Sequence, residues 1–280
     1  YAKLYSSNDG DVLILANDKD DHNQDNSLTL KKDYGNIGKE EYKIQYEYRT
    51  EYDNSKKQNV SINEIKGNLA PWLEQKIYVN DGGTYKRIYY ENTTLKRVIV
   101  ANDLDFLNAS NLFYECKSLE KIEGNGKADF SRVGSLYNMF NDCQNLVDLS
   151  NLKNWDVSNV RNITNLFYNC TKLSDISPLS TWNTKRIKSV YEMFYSANLS
   201  DVTALKNWDV SSLKDFSYMF YYCGNLTNID GLSNWNVSNA ENMRGVFDGC
   251  DKLADITALK NWNTSKVTSI AYMFAYCPNI

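Results

Sequence analysis

The sequence predicts an α/β repeat protein: a right-handed solenoid with a parallel strand ladder on one face and short helices on the other. A small N-terminal cap domain, α+β or β-rich, precedes it. Three observations carry this. Large residues recur at one fixed interval, each repeat contains both a helical and an extended pattern, and no repeat holds enough apolar side chains to fold alone.

The interval is 27 residues. It separates Cys116, Cys143 and Cys170, and again Cys223, Cys250 and Cys277. Phe113, Phe140, Phe167, Phe194, Phe220, Phe247 and Phe274 follow it, as do Trp155, Trp182, Trp208, Trp235 and Trp262. One step is 26 residues long: a residue is missing before Leu199, and Ala197 stands in the Cys place. Recurrence at such a period is the signature of stacked units. A degenerate copy, Ile88 to Leu95 with Asn92 in the Cys place, extends the series backwards. About seven units result, of 24–27 residues, with an eighth cut at Ile280, so the natural protein is expected to continue.

Within a unit, Val160, Ile163, Leu166, Phe167 and Cys170 have the spacing of one helix face. Ser158 is the expected N-cap, with Asp156 nearby. Leu173, Ile176 and Leu179 then read as a short extended segment, and Trp182 begins the next unit. A handful of apolar side chains cannot offset the ordering of a whole unit, so burial must come from its neighbours. The Phe, Trp and Cys columns are therefore expected core, including Phe140, Cys143, Phe274 and Trp262.

Residues 1–84 read as a separate domain or cap, and 85–280 as the solenoid. Tyr42, Ile44, Tyr46, Tyr48 and Tyr52 alternate with polar residues, a strand pattern, and Val12–Leu15 is a second strand. Ile62, Ile65, Leu69 and Trp72 predict a helix over 61–74. Lys76–Val79 and Tyr85–Tyr89 flank Asp81-Gly82-Gly83 as in a hairpin, which competes with a helix in the degenerate unit. This region is expected to seal the apolar end of the stack.

Composition narrows the function. Of 280 residues 42% are apolar and the net charge is -4, which argues against nucleic-acid binding. The longest apolar run, Val12–Ala16, is far short of the ~20 residues of a membrane helix. The chain begins at Tyr1, so the lack of a leader says little about export. A single histidine, His22, excludes His-based triads and multi-His metal sites within one chain. Phosphate loops and nucleophile elbows are missing, and no cofactor is expected. Residues 17–25 resemble a calcium loop only loosely, since Asn23 and Thr29 occupy the places that need Gly and Glu.

Three sets of residues are candidates. The cysteines read as buried free thiols, because Ala197 splits them into two runs of three and no histidine is placed to activate one. Asp148, Asp175, Asp201, Asn228 and Asp255 share one place in the unit. They either accept backbone N–H groups in a turn or form a face for a cation or a basic partner. Tyr114, Tyr168, Tyr195 and Tyr221 follow the Phe, with Tyr222 and Tyr276 one step on. Tyrosine gives large contact area at low entropy cost. This ridge either contacts a partner or packs half-buried between units.

The paired segments Asn138-Met139-Phe140-Asn141-Asp142-Cys143-Gln144-Asn145-Leu146 and Asn154-Trp155-Asp156-Val157-Ser158-Asn159-Val160 resemble the BspA-like leucine-rich-repeat surface proteins of bacteria. The segment Leu173 to Leu179 resembles the strand part of internalin-type repeats. The resemblance, over residues 85–280, implies a leucine-rich-repeat solenoid and a non-enzymatic, extracellular role at the bacterial surface. It implies an adhesin binding a host protein or glycan, with a possible lipid anchor outside these residues. A structural coat, or a glycan-binding module, are the alternatives.

Overall fold

A computed structural model describes residues 109–280 throughout. Before them it describes residues 2–8, 10–15, 29–35, 45–53, 58–66, 74–79, 85–91, 93–100 and 104–106. The acidic loop 17–25 and the turn 81–83 lie outside the described residues.

The described residues among the first hundred are mainly strands. Strands β1 (Ala2–Ser7), β2 (Gly10–Leu15), β3 (Thr29–Gly35), β4 (Gln45–Asp53), β5 (Gln58–Lys66), β6 (Glu74–Val79), β7 (Tyr85–Glu91) and β8 (Leu95–Val100) precede the short strands β9 (Leu104–Asp105), β10 (Lys121–Glu123), β11 (Ala128–Asp129) and β12 (Trp155–Asp156). One sheet has the order β4-β5-β7-β6 and a second β10-β8-β2-β1-β3. The helix expected over 61–74 is not formed at its start: residues 61–66 belong to β5, paired antiparallel with β4 over nine residues, and 67–73 lie outside the described residues. The apolar places at 62 and 65 fit a helix turn, but backbone pairing with a long neighbouring strand decides the conformation. β6 pairs antiparallel with β7, so the hairpin reading of 76–89 holds and the degenerate unit at 88–95 forms no helix.

β8 joins this sheet to the units that follow: it runs parallel to β2 on one side and to β10 on the other. Beyond it the pairing is parallel and minimal. β9, β11 and β12 form a three-stranded parallel sheet, and later units touch through single bridges such as Ser135↔Asn162↔Ser189↔Asp215↔Asn242↔Ser269 and Asp201↔Asn228. Neither sheet order closes on itself, so the described strands form no barrel.

The helices differ from expectation. Every helix among the described residues is a short 3-10 helix: Ser150–Asn154, Ser177–Thr181, Thr203–Leu205, Asp230–Leu232 and Thr257–Leu259. The expected α-helix over 160–170 is a run of tight turns, and Ser158 caps nothing; its own N–H is accepted by Asp156 Oδ1 at 2.9 Å.

Hydrogen bonding explains the difference. Leu166, Tyr168 and Cys170 donate three residues back within their unit, to Ile163, Asn165 and Phe167. The residues between them, Asn165, Phe167 and Asn169, donate instead to Tyr191, Met193 and Tyr195 of the next unit at 2.8–2.9 Å. An α-helix keeps all of these bonds inside one segment, whereas stacking claims every second one. The apolar spacing of three and four residues fits both, because each turn advances the chain by a similar step. Positive φ follows at Asn165 (54°) and Asn169 (56°), and the same two places are left-handed in each unit from Asn111 and Glu115 to Tyr272 and Tyr276.

Inside the turns lies one continuous core. Phe113, Phe140, Phe167, Phe194, Phe220 and Phe247 are no more than 1% exposed, and their rings stack at 5.5–5.8 Å through the column. The 26-residue step leaves that spacing intact at 5.7 Å between Phe194 and Phe220, because the missing residue falls after the ring. From Trp182 onward the tryptophan indoles donate to a leucine carbonyl of the preceding unit: Trp182 to Leu152 (2.9 Å), Trp208 to Leu179 (3.0 Å), Trp235 to Leu205 (2.9 Å) and Trp262 to Leu232 (3.0 Å). Trp155 instead meets the side chain of buried Asn151 at 2.7 Å, whose amide bonds the Gly124 and Gly126 carbonyls. Trp262 and Phe274, expected core, are only partly buried, since no described unit covers their outer side.

Candidate functional site

The structure gives the three candidate sets different fates. The cysteines are free thiols, all buried except the half-buried Cys277. Cys143, Cys170 and Cys223 donate Sγ–H to the Phe carbonyl of the unit before, each at 3.1 Å. Burial pushes the thiols of Cys116, Cys143 and Cys170 well up, away from the thiolate that nucleophilic chemistry needs.

The acidic column is consumed in turns. Asp148, Asp175 and Asp255 each accept the N–H two residues ahead at 2.8 Å, Asp201 at 2.5 Å and Asn228 at 2.9 Å. These Asx turns start the 3-10 helices. Asn228 also donates to Asp201 Oδ2 at 2.7 Å, replacing a carboxylate repulsion with a bond. A second Asx column follows the tryptophans, with Asp156, Asn183, Asp209, Asn236 and Asn263 accepting in the same way. The Ser131 and Ser211 side chains, and then the accepted N–H groups of the same turns, hold the Asp129 and Asp209 carboxyls below the ordinary range; for Asp255 the Thr257 N–H leads and its side chain follows. Shallow grooves run between units here, one lined by Asp148, Lys153, Asp175 and Thr181, the next by Asp175, Ser180, Asp201 and Lys206.

The tyrosines are different. They lie on the turn face, outside the Phe column, and their rings touch from unit to unit. Tyr168 stacks on Tyr195 at 4.2 Å; Tyr195 meets Tyr221 at 5.1 Å and Tyr222 at 6.0 Å, both edge-on; Tyr221 stacks on Tyr222 at 4.3 Å. Tyr222 is 47% exposed, while Tyr114, Tyr168, Tyr195 and Tyr221 are half-buried. Sequence reasoning missed the second half of this patch. Tyr191 and Tyr218 meet edge-on at 5.9 Å, Tyr218 lies 5.2 Å from Tyr221, and Arg244 sits over the Tyr272 ring at 4.8 Å while its Nε donates to the Tyr218 hydroxyl. Burial and the neighbouring Tyr195 and Glu192 raise the Tyr168 phenol to about 12, so this hydroxyl stays a hydrogen-bond donor at physiological pH.

A signal for the missed residues was present. Asn111, Asn138, Asn165, Glu192, Tyr218, Gly245 and Tyr272 form one column, and an Asn/Gly mixture marks a left-handed place. Tyr218 and Tyr222 sit at left-handed places, the first partly exposed and the second 47% exposed. Their rings occupy the space that a Cβ on Gly245 or Gly249 of the next unit would need, at 2.5 and 2.4 Å.

Carboxylates border the ridge. Burial raises Glu115 and Glu192; Glu115 pairs with Lys117 at 3.3 Å, and Tyr191 bonds Glu192. Asp142 accepts the Asn169 amide at 2.5 Å. Among the described residues no group of three or more His, Cys, Asp or Glu is placed to hold a metal ion, and no helix is long and apolar enough to cross a membrane.

Comparison with known proteins places the repeats. No curated protein and no solved structure matches the chain. One family model matches twice, over residues 107–228 and 197–280, and its description is "Mycoplasma protein of unknown function, DUF285". The degenerate unit at 88–95 precedes the matched stretch, in line with its conversion to β7. Since the two matches together span more than half of its length, the chain belongs to this DUF285 family.

Proposed function

We propose that this chain is a non-enzymatic binding module of a bacterial cell surface, a leucine-rich-repeat-type right-handed solenoid of the BspA-like kind. Its turn face contacts a host protein. The observation that carries the reading is the tyrosine ridge: touching, half-exposed rings continue over successive units, although the core does not need them. Aromatic side chains kept in solvent at contact distance are the composition of an interface. The Asp/Asn columns beside the 3-10 helices and the tryptophans support the reading by contrast, since their side chains are occupied in Asx turns.

The chain would be screened against extracellular host proteins, beside a variant carrying Tyr195→Ala, Tyr221→Ala and Tyr222→Ala. The expected result is specific binding by the chain and a loss of at least about tenfold in the variant, the scale of hot-spot aromatics. Equal binding by the two proteins overturns it.

The second reading, glycan binding, rests on the two shallow grooves between units beside Asp148, Asp175 and Asp201, where Ser, Thr and Lys side chains line open space. Binding on a glycan array that survives the tyrosine substitutions and falls with Lys153→Ala and Lys206→Ala favours it.

A further inference from the structure

The tyrosine ridge carries a charge pattern that its packing does not explain. Between Lys117 at one end and Arg244 at the other stand Asp142, Glu192 and Asp248. None of these three is within ion-pair distance of a Lys or Arg among the described residues. Asp248 is the least exposed of the three. It occupies the place of Tyr168, Tyr195 and Tyr221 in the next unit, is only 6% exposed, and its Oδ1 is buried with no hydrogen-bond partner. A buried carboxylate oxygen without a partner is costly unless the group is protonated or neutralised; burial here raises its pKa.

The surroundings say what would neutralise it. Tyr222 lies against Asp248: its N–H donates to the Asp248 carbonyl at 2.8 Å, and its ring packs over Gly249. Tyr221 is close enough to feel the carboxylate, which helps to push its phenol up, yet bonds Tyr222 instead. Tyr222 is nearly half exposed, so its ring is within reach of a partner's side chain. Aromatic faces beside a carboxylate attract a cation, through the ring quadrupole and the ion pair together. An acidic chain with a net charge of -4 adds long-range attraction for a basic partner.

We propose that the corner formed by Tyr195, Tyr221, Tyr222 and Asp248 takes a lysine or arginine side chain of the partner protein, with Glu192 contributing along the ridge. This deepens the tyrosine-ridge reading above and rests on it: the partner presents a basic segment here. Arg244, held flat between Tyr218 and Tyr272, bounds the site by repelling a second cation.

The test titrates the whole chain with an acetylated, amidated peptide of alternating lysine and glycine, and with the same peptide carrying norleucine for lysine. The lysine peptide is expected to bind, with affinity that falls as salt is raised, and the norleucine peptide not to. Asp248→Asn, which keeps the shape, weakens binding at least about fivefold; Asp175→Asn, in the Asx column, leaves it unchanged. Absence of binding, equal binding of both peptides, or full affinity in Asp248→Asn overturns the proposal. Its failure is distinct from failure of the ridge reading: a triple tyrosine variant that loses its host protein while the lysine peptide does not bind removes only the basic-segment inference.

Discussion

Two corners of each unit carry polar residues at the surface, and they are built differently. At the 3-10 corner Asp175 closes its own turn, and Asp148, Asp201, Asn228 and Asp255 repeat the bond. At the turn corner the equivalent column runs Tyr114, Asn141, Tyr168, Tyr195, Tyr221, Asp248 and Ala275; their backbone N–H groups repeat one bond to the residue three back, but no side-chain bond is common to all of them. The first corner repeats because each unit needs its turn. The second varies because the backbone there is held by bonds between units, leaving the side chains free for other work. A residue's place in a repeat therefore says little about function until its polar atoms have been traced.

The sharpest way to break that comparison is at Gly249. Gly249→Ala places a Cβ 2.4 Å from the Tyr222 ring at a φ of +74°. Left-handed strain of ~1–2 kcal/mol and overpacking of a similar size add, so urea unfolding is expected to show a loss of about 2–4 kcal/mol. A loss below 0.5 kcal/mol would mean that the ring does not pack there.

At the 3-10 corner Asp175→Ala removes the acceptor of the Ser177 N–H. By analogy with helix caps the cost is about 1 kcal/mol, and Asp175→Asn, which keeps the carbonyl oxygen, costs a few tenths. Equal destabilisation by both would show that charge rather than the Asx turn is what matters.

Glu192 tests the turn corner in the other direction. Asn138 donates to Asn111 at 3.1 Å in a side-chain ladder, but Asn165 Oδ1 is buried without a partner where Glu192 follows in place of Asn. Glu192 also has a φ of 50°, which asparagine tolerates better. Glu192→Asn is therefore expected to stabilise the chain by about 0.5–1 kcal/mol in thermal unfolding; destabilisation would contradict the ladder.

The smallest effect is on pH. Glu192 and Asp248 have folded pKa values above their ordinary 4.5 and 3.8, so the folded state holds their protons more tightly. Their stabilising contribution is complete below those ordinary values and lost as pH rises through the folded ones. Asp129, Asp209 and Asp255 are lowered from 3.8, so theirs is present above 3.8 and lost as pH falls through the folded values. The melting temperature should rise as pH is lowered from neutrality towards the ordinary 4.5 and 3.8 of these carboxyls, and fall as pH drops further through the folded values of Asp129, Asp209 and Asp255. Combining Glu192→Gln with Asp248→Asn should reduce the rise and leave the part that Glu115 contributes.

Much of this was legible in the sequence. The Phe, Trp and Cys columns announced the units, and the buried thiols followed from the break at Ala197. The helix over 160–170 was misread because spacing records which residues face inward, not where the intervening N–H groups find acceptors, and those lie one unit away. The helix expected over 61–74 failed over 61–66 for a related reason: the backbone there pairs with the neighbouring strand β4, which the spacing of apolar residues does not record. Tyr168, Tyr195, Tyr221 and Tyr222 stood out as repeated aromatics, whereas Asp248 appears once and owes its character to burial beside Tyr221 and Tyr222, which spacing does not record.

The central claim is that the turn corner binds and the 3-10 corner holds the fold. The most direct test compares two triple variants for host-protein binding and melting temperature: Tyr195→Ala, Tyr221→Ala and Tyr222→Ala against Asp148→Asn, Asp175→Asn and Asp201→Asn. The account predicts that the tyrosine variant loses binding while remaining folded, and that the asparagine variant keeps both binding and melting temperature. Loss of binding in the asparagine variant, with the tyrosine variant intact, would contradict it.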